Sequence, residues 1–353
     1  MAKIDELLRT LVAQEGSDLH IKSDEPPVYR IHGQLVRSGL PVLSADDTKT
    51  LLYEILNDER RERYERTHQL DMSYSIPGVS RFRVNVFRQK NAVGAVLRVI
   101  PLSIKTIDEL GLPQIMKKVC MLPRGLILVT GPTGSGKSTS LAAMIDLIND
   151  NKSCHIITIE DPIEFLHRDK RACVNQREVG IDTHSFANSL KHVMRQNPDI
   201  IMVGEMRDLE TIQLAITAAE TGHLVLATLH TADAAQTVDR IIDVFPPGQQ
   251  QQVRLQLSTT LQAVFSQALL PRADGKSRVV AYEVMICTPA LRSIIREGKT
   301  HQIYSNLQSG AKYGMVTLDA HLKDLYLKGV INLEDAIAKS SNPHEFEKLL
   351  GKV

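Results

Sequence analysis

The sequence has no tryptophan and few aromatic residues of any kind, which make up 4% of its 353 residues. Proteins that hold single-stranded nucleic acid usually stack the bases on aromatic side chains, so this scarcity argues against such a binding platform. The formal net charge is only +1, with 42 Lys and Arg against 41 Asp and Glu. No overall positive field therefore favours nucleic acid or an anionic membrane as the main partner.

Long apolar runs are also missing from the chain. No stretch approaches the ~20 apolar residues that a membrane-spanning helix needs. The N-terminal segment, residues 1–16, is charged early and lacks the apolar core of a signal peptide. We therefore expect a cytoplasmic protein that meets a membrane only through a partner.

The cysteines are too scattered to form a recognisable metal or redox site. The four cysteines are Cys120, Cys154, Cys173 and Cys287. No two of them form a C-x-x-C pair, so neither a zinc knuckle nor a redox dithiol is indicated. We expect free thiols in a reducing compartment.

The first hundred residues predict a compact α+β domain. Apolar residues at positions 4, 7, 8, 11 and 12 have helical spacing, and Gly16 ends that helix. After it we expect strands at 18–21, 28–31, 34–36, 70–75, 81–87 and 92–100, and helices at 44–56 and 58–67. Residues 101–113 break the periodicity and are assigned to a linker.

Residues 114–353 follow an α/β pattern, in which strands alternate with longer helices. Short apolar runs, typical of parallel strands covered on both faces, lie at 126–130, 156–160, 200–203 and 224–228. From about residue 240 the chain is expected to be mainly helical, apart from a strand at 278–286. The predicted fold class is an α/β domain with a helical C-terminal region, preceded by the smaller α+β domain.

A complete phosphate-binding motif, G-x-x-x-x-G-K-[ST], lies between the first of these strands and a helix. Its residues, with the threonine that follows, are Gly131, Pro132, Thr133, Gly134, Ser135, Gly136, Lys137, Ser138 and Thr139. The glycines let backbone N–H groups fold round a triphosphate, Lys137 neutralises its β and γ oxygens, and the Ser138 hydroxyl ligates Mg²⁺. The second half of the chain is therefore predicted to be a P-loop nucleotide-binding domain.

Carboxylates follow two of the expected strands, and hydrolysis needs one such group to activate water and another for the metal shell. Glu160, Asp161 and Glu164 follow one strand, and Glu205 follows the next. Because Gly204 stands where a metal-binding strand usually carries Asp, we assign Glu205 to the metal shell, through water. Glu164 and Glu205 are favoured as functional residues, whereas Glu160 and Asp161 could equally cap a helix or anchor a loop.

Two histidines, His223 and His230, flank the strand expected at 224–228. A lone histidine is usually structural, but two beside a core strand at the phosphate edge could read the γ-phosphate. We assign this sensing role to His230. For His223, sensing and a structural role stay equally open.

Arginines in the first domain could complete a nucleotide site in a neighbouring subunit. Arg81 and Arg83 alternate with apolar residues on one expected strand, and Arg98 lies on the next. The ordinary alternative is a solvated basic face. Phosphoryl transfer benefits from an arginine supplied by a neighbour, and the nucleotide domain itself offers only Arg195 and Arg207.

These segments together resemble the type II/IV secretion ATPases, which are RecA-like hexameric motors. The resemblance rests on the phosphate loop (131–138, Walker A), ITIEDPIE (157–164, Asp box), the GE strand end (204–205, Walker B) and TGHLVLATLHT (221–231, His box). GSDLHI (16–21) is similar to the start of the family's PAS-like N-terminal domain. The resemblance covers essentially the whole chain.

Within the family the chain resembles the branch that retracts type IV pili. We expect no additional N-terminal domain; the sequence has no tetracysteine motif, and residues 290–297 are similar to that branch's AIRNLIRE helix, with departures at Leu291, Ser293 and Ile294. Arg292 and Arg296 are expected to share one face of that helix. This helix follows all the nucleotide motifs in the sequence and is well separated from them. We therefore expect it to serve retraction and not ATP binding.

The resemblance implies a function and a set of roles. It implies a homo-hexameric, Mg²⁺-dependent ATPase that powers pilus retraction and twitching motility from the cytoplasmic face of a bacterial inner membrane, bound to the pilus machinery through a platform protein. It also implies Glu164 as the catalytic base, Glu205 at the metal and His230 near the γ-phosphate. Arg83 and Arg98 would act on the neighbouring subunit's nucleotide.

Three alternatives stay open on the sequence alone. A pilus-extension or type II secretion ATPase of the same superfamily is disfavoured by the missing cysteine tetrad and by residues 290–297. A nucleic-acid translocase is disfavoured by the low net charge. A nucleotide-binding scaffold without turnover is disfavoured by the intact Lys137, Ser138 and Glu164.

Overall fold

The structure is a computed structural model that describes residues 3–100 and 103–351. The chain separates into two compact units. Unit 1 comprises Met1–Ser103 and Pro162–Leu166, and unit 2 comprises Ile104–Asp161 and His167–Val353. Of the expected linker, residues 101 and 102 lie outside the described residues, whereas Ile107 and Leu112 are buried in the core of unit 2.

Unit 1 is an antiparallel sheet with helices packed on it. Its elements are α1 (Lys3–Ala13), β1 (Gly16–Ile21), β2 (Val28–Ile31), β3 (Gln34–Arg37), α2 (Ala45–Tyr53), α3 (Asp58–Thr67), β4 (Gln69–Ile76), β5 (Ser80–Gln89) and β6 (Ala92–Ile100). The strand order is β3-β2-β1-β6-β5-β4. Along β5, Phe82, Val84 and Val86 are fully buried because alternate side chains enter the core. The α+β class is confirmed, and the likeness to a PAS domain stays a prediction.

Unit 2 contains the remaining strands and most of the helices. Its elements are α4 (Ile115–Cys120), β7 (Gly125–Thr130), α5 (Lys137–Asn151), β8 (His155–Glu160), β9 (Cys173–Glu178), α6 (Phe186–Val193), β10 (Ile200–Val203), α7 (Leu209–Glu220), β11 (Leu224–Leu229), α8 (Ala234–Asp243), α9 (Pro247–Thr260), β12 (Leu261–Pro271), β13 (Arg278–Ile286), α10 (Pro289–Glu297), α11 (Ile303–Ser309), α12 (Leu318–Leu327), α13 (Leu333–Lys339) and α14 (Pro343–Leu349), with 3₁₀ turns at Thr300–Gln302 and Ala311–Tyr313.

The sheet of unit 2 has the strand order β13-β12-β7-β11-β10-β8-β9. All neighbouring pairs from β12 to β9 are parallel, and only β13 runs antiparallel to its neighbour. Every residue of β7, β10 and β11 is buried, as expected for parallel strands with helices on both faces. The carboxyl ends of β7, β11, β10 and β8 therefore open on one edge of the sheet.

The C-terminal region is helical as predicted, but it contains a strand that the sequence pattern did not indicate. β12 is 11 residues long and lies between β7 and β13. Most of its side chains are buried on both faces, so it lacks the alternation that marks a half-exposed strand. It also follows α9 directly, with no glycine or proline between them. Edge strand β9 was missed too, because its segment, CVNQRE, is mostly polar.

No helix within the described ranges is long and apolar enough to cross a membrane.

Candidate nucleotide-binding site

The phosphate loop joins the end of β7 to the start of α5, as predicted. Gly131, Gly134 and Gly136 have φ values of 142°, 80° and 89°, a region that side-chain-bearing residues rarely adopt. At Gly131 a Cβ atom would lie 2.2 Å from the carbonyl oxygen of Gln267. The loop conformation therefore requires glycine at these three positions. An ordinary turn would not need three glycines.

Lys137 is the first residue of α5 and folds back over the loop. Its Nζ donates to the carbonyl oxygens of Gly131 at 2.8 Å and Pro132 at 3.1 Å. No side chain caps the helix through Gly136, so the first-turn N–H groups are available to an anion. An ammonium held by loop carbonyls and an uncapped helix N-terminus fit the phosphates of a nucleotide.

The donors available for Mg²⁺ also fit a phosphate-loop site. Within residues 3–100 and 103–351, no cluster of three or more His, Cys, Asp or Glu side chains could hold a metal alone. A P-loop site does not need such a cluster, because one hydroxyl and the phosphate oxygens are the main ligands. Ser138 supplies the hydroxyl from the first turn of α5, and Glu205 supplies a carboxylate at the same sheet edge.

Glu205 lies just beyond β10, where it meets two basic side chains. Its Oε1 is 3.0 Å from Nε2 of His230 and 2.5 Å from Nε of Arg207. This hydrogen bond to the Glu205 carboxylate raises the pKa of Arg207. An ionised carboxylate only accepts hydrogen bonds, so Nε2 of His230 carries the proton.

The pairing of β10 with β11 brings these residues together. The hydroxyl of Thr228 donates to the carbonyl of Gly204 at 2.6 Å, and the N–H of Met206 donates to the carbonyl of Thr228 at 3.1 Å. A cavity of 580 Å³ opens beside them. Its lining residues are Glu205, Met206, Arg207, Ile212, Leu229, His230, Thr231, Gln236 and Arg240.

The other candidates of unit 2 have structural partners. His223 precedes β11 at its amino end, opposite the phosphate edge, and its Nδ1 lies 2.9 Å from the carbonyl oxygen of Ala218 at the end of α7. The sensing alternative for His223 is therefore wrong. Glu160 is buried, and its Oε1 accepts from Thr158 at 2.6 Å and from Gln176 at 3.0 Å, which makes it an anchor between β8 and β9.

The arginines proposed to act between subunits lie in unit 1. Arg83 on β5 and Arg98 on β6 are directly opposite each other. Nε of Arg98 donates to Oδ1 of Asp18 at 2.7 Å. Glu164 also belongs to unit 1, and its Oε1 is 3.5 Å from Nη1 of Arg83. The roles of Arg83, Arg98 and Glu164 stay predictions.

Two contacts of the site were missed by sequence reasoning. The sequence offers Arg207 as an arginine of the nucleotide domain within reach of the nucleotide, whereas in the structure it pairs with Glu205. Ser266 and Gln267 on β12 contact the strand and helix that flank the phosphate loop. The only sequence signal was a pair of polar residues within an apolar run, and that signal does not say what they touch.

Comparisons with known proteins cover most of the chain and agree with one another. Residues 1–292 match the family of type II/IV secretion system proteins. The chain is 52% identical to the type IV pilus retraction ATPase PilT of Pseudomonas aeruginosa, over 97% of this chain and 99% of that protein. It is 49% identical to a twitching motility protein of Neisseria gonorrhoeae, over 95% and 90%. A crystal structure of the pilus retraction motor PilT with bound ADP matches with a TM-score of 0.92 and 48% identity, over 99% and 100%. The chain therefore belongs to the family of type II/IV secretion system proteins.

Proposed function

We propose that this chain is a motor ATPase that powers the retraction of type IV pili. One observation carries the proposal: a formed phosphate loop, with Glu205 and His230 paired just beyond the ends of neighbouring strands, lies in a chain that aligns almost end to end with a retraction ATPase. An extension ATPase would use the same chemistry, so the near-full-length similarity decides between the two.

Nucleotide binding follows from the loop. The backbone N–H groups at the start of α5 receive the phosphates, and the ammonium of Lys137 moves from the loop carbonyls to the β and γ oxygens. Mg²⁺, when bound by the Ser138 hydroxyl and through water by Glu205, would neutralise charge on the same oxygens. Arg207 and His230 hold the Glu205 carboxylate in place.

Hydrolysis requires a base and a group that senses the γ-phosphate. We assign the base to Glu164, which orients the attacking water and accepts its proton. His230 donates Nε2–H to Glu205, and this hydrogen bond fixes its ring beyond the end of β11, on the side of the sheet where the γ-phosphate is expected. Loss of the γ-phosphate then changes the contacts of the loop between β11 and α8, which carries His230.

Assembly completes the site in this proposal. Six copies form a ring, and Arg83 and Arg98 of one subunit act on the nucleotide of the next. The ring works at the cytoplasmic face of the bacterial inner membrane, where a platform protein of the pilus machinery receives the motion. Nucleic acid has no part in it.

The function is tested by removing the gene and counting surface pili together with twitching motility. We expect the deletion to cause excess surface pili and loss of twitching. The parent sequence should restore twitching, whereas Lys137→Ala should not, because this variant cannot bind the phosphates. Lys118→Ala, which removes an exposed lysine from α4, is the matched control and restores twitching. Full restoration by Lys137→Ala would show that the phosphate loop does not drive retraction.

A further inference from the structure

Gln267 on β12 reaches the phosphate loop from the neighbouring strand and lies outside the four motifs. The residue is only 4% exposed. Its Nε2 donates to the carbonyl oxygen of Ser135 at 2.9 Å, and its Oε1 accepts from the hydroxyl of Ser140 at 2.9 Å. A buried amide costs free energy unless its polar atoms are bonded, and here both ends are.

These two bonds lie on either side of the junction between loop and helix. Ser135 belongs to the loop, and Ser140 belongs to the first turn of α5. Between them is Gly136, at which a Cβ atom would lie 3.3 Å from Nε2 of Gln267. The backbone carbonyl of Gln267 also abuts Gly131 at the other end of the loop. One residue thus contacts the loop at both ends.

The residue before Gln267 supports the same part of the chain. The hydroxyl of Thr130, the last residue of β7, donates to the hydroxyl of Ser266 at 2.8 Å. Both Thr130 and Ser266 are buried. Consecutive residues of β12 therefore hold the strand that enters the loop and the helix that leaves it.

We propose that Gln267 is a positioning residue for nucleotide binding, which holds the phosphate loop in its binding conformation through Ser135 and Ser140. This inference rests on the proposed function, because it assumes that the loop binds a nucleotide. A loop held in shape beforehand loses less conformational entropy when phosphate binds, so the brace strengthens binding without touching the nucleotide.

The alternative is that Gln267 only satisfies buried groups and stabilises the fold. In that case its removal lowers the melting temperature and leaves nucleotide affinity unchanged. Affinity and stability are therefore measured on the same preparations of the full-length chain.

The first variant is Gln267→Met, which keeps the length of the side chain and removes both bonds. We expect the Kd for ADP and the KM for ATP to rise about tenfold, with kcat within about threefold, because a pair of hydrogen bonds supports the loop. The matched control is Gln262→Met, on the same strand but at the end remote from the loop, where the amide bonds to Arg292. We expect its Kd for ADP to stay within about twofold of the parent's.

A second variant, Ser140→Ala, removes one bond and keeps a good helix-forming residue in α5. We expect it to weaken ADP binding by about threefold. The double variant should bind no more weakly than Gln267→Met alone, because both changes break one bridge, whereas independent effects would multiply.

Unchanged ADP affinity in Gln267→Met, whatever its melting temperature, would overturn the inference. If that variant does not fold, unchanged affinity in Ser140→Ala overturns it equally. A parent protein that fails to bind ADP would instead refute the proposed function, and the parent titration shows this separately.

Discussion

Glu164 is the residue on which the proposed chemistry depends most. Replacing it by glutamine keeps the shape but removes the ability to accept a proton. We expect Glu164→Gln to bind ATP as the parent does and to turn over ~100-fold more slowly or worse. Phosphate release and ADP titration measure the two properties. Glu210→Gln, an exposed carboxylate on α7, is the control at the parental rate, and a parental rate for Glu164→Gln would assign the base elsewhere.

How well the sequence predicts each site residue depends on how local its role is. The phosphate loop is contiguous, so its motif indicated both conformation and ligand. Glu205 and His230 meet only through strand pairing; their places at strand ends indicated proximity, but not the bond between them. The role of Gln267 could not be predicted, because it reaches its partners only through the pairing of β12 with β7, and the sequence did not indicate β12.

At the scale of elements, β13 connects two helices through one carboxylate. Glu283 is 3% exposed and accepts from the N–H of Ala234, at the start of α8, at 2.9 Å. The N–H of Leu318, at the start of α12, is its second backbone partner. α8 follows the loop that carries His230, so the same carboxylate holds this loop's far end and the start of α12.

Burial raises the pKa of Glu283 to about 7. The hydrogen bond from Ala234 opposes this rise, and the charge of Asp233 adds to it. The folded chain therefore binds this proton more tightly than the unfolded chain, and stability falls as pH rises from about 4.5 to about 7. The ionised group costs roughly 3 kcal/mol above that range. Glutamine has no charge to bury.

We therefore expect Glu283→Gln to gain stability relative to the parent by roughly that amount between pH 5 and pH 8. Urea unfolding at several pH values measures the difference, with the exposed Glu334→Gln as control. A difference between parent and Glu283→Gln that does not change with pH would contradict a carboxyl that titrates in this range.

Helix α10 is present as predicted, but its two arginines are not equivalent. Arg292 turns onto the end of α9 and donates to the carbonyls of Ser258 at 2.7 Å and Thr259 at 2.8 Å. Arg296 is exposed, and its hydrogen bond among the described residues is to Ser293 in its own helix. Arg292 thus caps a helix, so a double substitution would mix loss of stability with loss of coupling.

We therefore predict separate outcomes for the two arginines. Arg292→Ala should lower the free energy of unfolding by about 2 kcal/mol, because it leaves helix carbonyls unpaired. Arg296→Ala should keep ATPase activity within about threefold, a barrier change under ~1 kcal/mol, yet abolish retraction. ATPase assays, thermal unfolding and twitching distinguish them. Normal twitching with Arg296→Ala would show that this residue is not needed for retraction.

At the scale of the whole molecule, the proposal requires each site to be shared between subunits. A ring mixed from Arg83→Ala and Glu164→Gln subunits should regain part of the ATPase activity that each change removes, because some interfaces then have both groups intact. The ratio of the two is varied, with hexamers confirmed by mass. Mixtures that stay inactive at every ratio would indicate instead that Arg83 belongs to a solvated basic face.

The central claim is that hydrolysis at this site drives retraction, and imaging of labelled pili on living cells tests it most directly. In cells whose only copy is Glu164→Gln, we predict that pili extend and fail to retract, while cells with the parent chain or Glu210→Gln retract them. Retraction at the parental rate in Glu164→Gln cells would contradict the account.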